Sequence, residues 1–209
     1  MAWTENDDVP TGVDFLDPAH AREWTHDAPK KRPSRSRFFA CCGNALAALG
    51  EPRVLELGSG PGHLARVIVE MCPTTSYVAL DFSEPMHVLA RAHLGAFAER
   101  VTFVTRNFRD PTWPDGINGL GPFDAIVTNQ AVHETRHKRH HVPLLERARS
   151  LLVPGGLLLY CDGYLRETTK YPDLVLTRDE QPLALERAGF TAVQRLLDDD
   201  GMALYAARS

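Results

Sequence analysis

The 209-residue sequence predicts a doubly wound α/β fold built on a mostly parallel seven-stranded sheet, and three observations predict it. Between residues 53 and 209 short apolar runs alternate with amphipathic stretches, the pattern of strand and helix units laid on a parallel sheet. The first run stops at three closely spaced glycines, as a strand does when it turns sharply into a helix. The last two runs are separated by Asp-Gly, the signature of an antiparallel hairpin at the C-terminal edge.

The elements follow in order. Residues 53–57 (RVLEL) form the first strand, and Leu64, Val67, Ile68 and Met71 then recur on one helical face, with Pro73 just beyond. Residues 77–80 form the second strand, ending at Asp81. Ser83-Glu84-Pro85 offers a cap and an early-turn proline for a helix carrying Met86, Leu89 and Ala90. Residues 101–105 and 123–128 are the third and fourth strands. A polar loop and a helix with Val142, Leu145, Ala148 and Leu152 on one side come next. Pro154-Gly155-Gly156 reads as a turn before a fifth strand over 157–161, which runs to Asp162. Residues 179–188 read as a helix stopped by Gly189, and 191–197 with 202–207 as the closing hairpin. Ahead of all this, residues 15–28 and 37–49 have helical content, while 27–36, with Pro29, Pro33, Ser34, Ser36 and four Lys or Arg, reads as a surface linker. Fifty residues are too few for their own core here, so 1–50 are expected to pack as a helical lid or linker on a domain spanning 51–209.

Composition narrows the function. Twenty-three Lys and Arg against 27 Asp and Glu give a net charge of −4, so no global basic field recruits nucleic acid or anionic lipid. Small-molecule partners are expected, with no DNA and no membrane. The longest apolar stretches fall far short of the roughly 18 to 20 residues a bilayer span needs. Residues 1–12 are acidic, with no cationic start and apolar run, so no secretory signal is expected and a cytoplasmic location is. Cys41, Cys42, Cys72 and Cys161 fall in no CxxC spacing and read as reduced, mostly buried side chains.

The most informative segment is Glu56-Leu57-Gly58-Ser59-Gly60-Pro61-Gly62, at the junction of the first strand and its helix. Alternate glycines let the backbone turn and bring its N–H groups close to a ligand at a helix N-terminus. The dinucleotide pattern Gly-x-Gly-x-x-Gly fails because His63 stands at its third glycine, and Glu56 would repel a pyrophosphate. No Tyr-x-x-x-Lys pair of the kind used by one large dehydrogenase class occurs. A ligand without phosphates fits better.

These residues resemble the class I S-adenosylmethionine-dependent methyltransferases, whose signature is Glu/Asp-x-Gly-x-Gly-x-Gly, and the resemblance covers roughly residues 53–209. It implies the Rossmann-like methyltransferase fold, transferase activity and S-adenosyl-L-methionine as cofactor. Carried over residue by residue, it implies that Glu56, Gly58, Ser59, Gly60 and Gly62 form the cofactor loop and that Asp81, 19 residues beyond Gly62, holds the ribose hydroxyls. Phe82 and Met86 would lie beside the cofactor. Asn107, where the family frequently has Asp, and Phe108 would hold the adenine, and Asn129 and Gln130 would end the fourth-strand motif. Leu151 to Gly156 matches Leu-Leu-x-Pro-Gly-Gly. Such a cofactor needs backbone donors, a carboxylate for the ribose diol and a flat apolar slot. Met86 and Phe108 serve either as that slot or as core.

Residues 133–137 contain His-Glu-x-x-His, which elsewhere marks zinc peptidases on a long helix. Here it directly follows a strand and runs into Lys138-Arg139-His140-His141, with no apolar face to bury a helix, so no metal is expected. In the methyltransferase setting His133 opens beside the transferred methyl. It either takes a proton from a substrate hydroxyl or nitrogen, or packs against substrate. The expected function is thus methyl transfer to an O or N nucleophile, on a small molecule first. A protein or RNA acceptor and a catalytically silent cofactor-binding or scaffold protein of the same fold are the alternatives.

Overall fold

The strands assemble in the order β3-β2-β1-β4-β5-β7-β6, where β1 is Arg53–Leu57, β2 Ser76–Asp81, β3 Val101–Thr105, β4 Phe123–Asn129, β5 Leu152–Gly163, β6 Thr191–Asp199 and β7 Met202–Arg208. β1 to β5 pair in parallel, and β7 joins antiparallel to both β5 and β6. The seven-stranded, mostly parallel sheet with its hairpin edge is therefore the observed architecture. This computed structural model describes residues 8–209. Of the expected N-terminal region 1–50 and the acidic stretch 1–12, residues 1–7 lie outside the described residues.

Alternate strand residues face opposite sides of the sheet, and each side has its own core. Leu55, Leu57, Val78, Leu80, Ile126 and Leu158 pack with Leu144, Leu145 and Ala148 of helix α5 (His141–Ser150) and Leu185 of α6 (Glu180–Arg187). Their neighbours Val54, Tyr77, Ala79, Ala125, Val127 and Leu159 pack with Leu64 and Ile68 of α3 (His63–Met71) and with Phe38, Cys42 and Leu46 of α2 (Arg35–Ala47). Helix α4 (Glu84–Leu94), capped by Ser83 Oγ accepting from Met86 N, covers β2 next to α3. The N-terminal α1 (Pro18–Lys31), capped by Asp17, contributes only Ala21 and Ala28 to the buried set and lies against α4.

Three boundaries differ from expectation. The stretch 27–36 is not a linker: α1 runs through Pro29 to Lys31. The break falls at Arg32, which Pro33 drives out of the helical region (φ −141°, ψ 68°), and α2 already starts at Arg35. Leu152 belongs to β5 and not to the preceding helix. Pro154-Gly155-Gly156 is absorbed into β5 as an irregularity, where the pairing with β4 shifts between Phe123 and Ala125 and Gly155 takes φ +74°.

Candidate functional site

In this strand order the chain reverses direction between β1 and β4, and the crevice outside the C-terminal strand ends at such a reversal is where open α/β sheets bind ligands. A cavity of about 480 Å³ opens there beneath α1. Gly58, Gly60, Asp81, Phe82, Met86, Phe108, Gln130 and His133 all line it.

The loop after β1 is built by glycine at each of its bends, with Gly58, Gly60 and Gly62 at φ +71°, +51° and +80°. Gly58 N and Ser59 N donate to Leu80 O at 2.8 and 3.0 Å, and Gly60 N donates to Asp81 Oδ2 at 2.7 Å, so the loop is tied to the end of β2. A Cβ on Gly58 would stand 2.3 Å from Ala131 Cβ, and one on Gly62 3.0 Å from Ala90 Cβ. These two glycines serve close packing. A Cβ on Gly60 would meet nothing within 4 Å, because that side opens on the cavity. Asp81 also accepts from Ser83 N at 2.9 Å. Burial pushes its pKa up, and the backbone donors act against that rise.

Phe82, Met86 and Phe108 make the apolar part of the wall, and Trp24 of α1 and Phe15 from the turn before it add to the wall from above. Phe15 meets Trp24 edge-on at 5.5 Å and Phe82 at 6.3 Å, and its carbonyl accepts from Ser83 Oγ at 2.5 Å. Arg35 donates to Gln130 Oε1 and lies 5.6 Å from the Trp24 ring. Gln130 itself holds φ +53°, a strained conformation at the mouth of β4.

His133 keeps a quarter of its side chain open to the cavity. Its Nδ1 lies 2.8 Å from Asp162 Oδ1, its backbone N donates to Asp162 Oδ2 at 3.1 Å, and its Nε2 lies 3.4 Å from Glu134 Oε1. Arg136 Nη1 holds Glu134 at 2.8 Å. Burial alone would lower the His133 pKa, but the two carboxylates outweigh it and raise it to about 10. Burial would likewise raise Glu134, and His133 and Arg136 bring it down to about 2. The two carboxylates thus favour the protonated form of the ring. The segment is a single 3-10 turn, Val132–Thr135, broken by Arg136 at φ +69°, and His137 accepts from Arg139 N. His133 and His137 therefore do not share successive turns of one helix, as the peptidase motif requires. Residues 8–10 strap this turn: Val9 N donates to Arg136 O at 2.9 Å, and Asp8 accepts from Arg109 at 2.7 Å and Arg139 at 3.0 Å.

Other sequence candidates stay off the cavity wall. Glu56 is buried behind the loop with its carboxyl accepting from Tyr77 OH at 2.8 Å, and burial lifts its pKa to about 8. Asn107 is exposed and its Oδ1 accepts from Arg109 N in a local turn. Ser59, Gly62 and Asn129 do not line the cavity. Conversely, Glu134, Asp162 and Arg35 line it without having been site candidates, and Phe15 and Trp24 line it from the segment expected to pack as a lid. Asp162 had a signal: like Asp81, it is an acid at the C-terminal end of an apolar strand.

Residues 55–158 match the model of a family described as "Methyltransferase domain". The chain is 32% identical over 133 residues to an arsenite methyltransferase of Aquipseudomonas alcaligenes, covering 62% of this chain and 38% of that protein. It is 33% identical over 110 residues to a trans-aconitate 2-methyltransferase of Streptomyces avermitilis, covering 52% and 38%. The chain thus spans less than half the length of these curated relatives. Human N-acetylserotonin methyltransferase in complex with S-adenosylmethionine has a similar fold, with a TM-score of 0.70 at 20% identity, covering 93% of this chain and 57% of that one. So does a chain from the complex between the Haloferax volcanii Trm112 methyltransferase activator and a methyltransferase, with a TM-score of 0.68 at 18% identity, covering 95% and 99%.

Proposed function

The chain belongs to the class I S-adenosylmethionine-dependent methyltransferases, and from that premise we propose that it transfers the methyl group of S-adenosylmethionine to an oxygen or nitrogen of a small molecule. The observation that carries the proposal is the clamped His133: an imidazole on the cavity wall, held at Nδ1 by Asp162, beside the loop that turns at Gly60. The cofactor supplies an activated methyl on a sulfonium; the acceptor displaces it in line, one C–O or C–N bond forming as the C–S bond breaks.

The residues fit that cofactor. Asp81 presents a buried carboxylate suited to a ribose diol, the open side of Gly60 lets a ligand lie against backbone, and Phe82, Met86 and Phe108 offer a flat apolar slot for adenine. Gly58 and Gly62 keep the loop tight, with Ser59 between them, and Glu56 supports it from behind. Asn107 and Asn129 flank the slot's sequence segments without facing the cavity, so the edge of the adenine would be met by backbone.

His133 would take the acceptor's proton in its neutral form, or hold an acceptor that arrives already ionised. Both routes make the rate climb with pH, the first as the ring loses the proton that the clamp favours and the second as the acceptor ionises. Asp162 fixes the ring's orientation, and α1 excludes water from the displacement. The test is a transfer assay with methyl-labelled S-adenosylmethionine across a panel of small phenols, amines and acids. His133→Ala is expected to keep cofactor affinity within about threefold and to lose about 10²-fold or more in transfer. Undiminished transfer would remove His133 from the reaction.

A further inference from the structure

The wall that α1 and α2 contribute to the cavity carries three cations, Lys31, Arg32 and Arg35. Lys31 has a carboxylate, Asp27, at 3.7 Å. Among the described residues Arg35 has the Gln130 amide oxygen and the Trp24 ring, and no carboxylate within ion-pair distance. The Arg32 guanidinium has no hydrogen-bond or carboxylate partner among the described residues. Burial pulls the pKa of Arg35 down to about 10, and the charge of Arg32 nearby adds to the fall. Two guanidiniums that disfavour one another on a cavity wall are a standing demand for an anion. The carboxylates across the cavity meet it only in part, since Asp162 acts on Arg35 through space but is hydrogen-bonded to His133, and Glu134 is engaged by His133 and Arg136.

Granted the cofactor reading above, S-adenosylmethionine brings a single carboxylate, together with an ammonium and a sulfonium. Its net charge is positive. One carboxylate can serve Arg35, next to Gln130 at the end of β4, and Arg32 is left uncompensated in a cavity that has become more positive. We propose that Arg32 recognises a carboxylate on the methyl acceptor, so that the substrate class is an organic acid with an aromatic or apolar body. The acid group is a handle held by the helical cover at Arg32. The methylated atom is a separate O or N at His133, on the strand ends. Trp24, Phe15 and Val175, on the same cavity wall system, supply the surface for the apolar body.

The probes are benzoate and benzamide, equal in shape and different in charge, titrated calorimetrically into the protein saturated with S-adenosylhomocysteine. Benzoate is expected to bind about tenfold more tightly than benzamide. Arg32→Gln should erase that preference while the affinity for S-adenosylhomocysteine changes less than about threefold, and Arg32→Lys should retain part of it. Arg35→Gln separates the two sources of carboxylate. It should weaken S-adenosylhomocysteine about tenfold and leave 5′-methylthioadenosine, which lacks the carboxylate, unchanged. Equal binding of the two probes, binding of neither, or a preference that survives Arg32→Gln overturns the inference alone. Failure of S-adenosylhomocysteine to bind the wild-type protein overturns the cofactor reading, and this inference with it.

Discussion

Two carboxyl groups next to one loop have opposite fates, and each gives a measurable pH effect. Asp162 faces the His133 ring, and that neighbour holds its pKa below the ordinary value against the pull of burial. If it is what keeps His133 protonated, Asp162→Asn should move the rising limb of the activity–pH profile at least one pH unit to the acid side while lowering the plateau. An unshifted limb would show that another group titrates. Glu56 has no cation beside it among the described residues, and burial lifts its pKa from 4.5 to about 8. The unfolded chain therefore loses this proton first, and Glu56 withdraws stability as pH rises from about 4.5 through 8. Glu56→Gln should raise the melting temperature by several degrees at pH 8 and little at pH 5, a difference thermal scans would read directly. Equal gains at both values would contradict it. Asp81, Gly60 and His133 were legible because each stands at a strand end marked by a local motif. The Asp162 clamp was not, because 29 residues separate the partners and only the parallel pairing of Asn129 with Cys161 brings them together.

The two N-terminal helices are different kinds of element. α2 buries Phe38, Cys42 and Leu46 into the core beside α3 and is part of the domain's packing. α1 buries two alanines, rests on α4, and ends at an exposed Lys31 before the break at Arg32. Few buried apolar contacts mark it as a segment that opens at low cost, and its Trp24 and Ala28, with Phe15 just before it, line the cavity. Trypsin should therefore cut first after Lys30 or Lys31, and saturating S-adenosylhomocysteine should slow that cut about tenfold without changing cleavage elsewhere. Unaltered cleavage would mean that α1 does not close on ligand. The sequence pattern suggested a helical lid or linker over residues 1–50. It blurred the boundary because Pro29 and a run of basic residues look like a linker, whereas the helix accommodates that proline and breaks only where Pro33 constrains Arg32.

At the scale of the whole molecule, the strand order decides where chemistry sits. Strands β1 to β5 were readable as apolar runs, and their order follows from right-handed crossovers on either side of the β1–β4 switch point. What could not be read was the direction in which α1 crosses the strand ends, since its mostly exposed surface carries no strong apolar stripe. That crossing turns a shallow strand-end crevice into a cavity of about 480 Å³ with a basic cover and an acidic floor. The central claim is that this cavity is built for S-adenosylmethionine. Calorimetric titration of the purified protein with S-adenosylhomocysteine tests it most directly, with Asp81→Ala and Gly60→Val alongside. One saturable site per chain is expected, weakened by about 1 to 3 kcal/mol in Asp81→Ala and abolished in a folded Gly60→Val protein. No binding by the wild-type protein, or unchanged affinity in folded Gly60→Val, would contradict the claim.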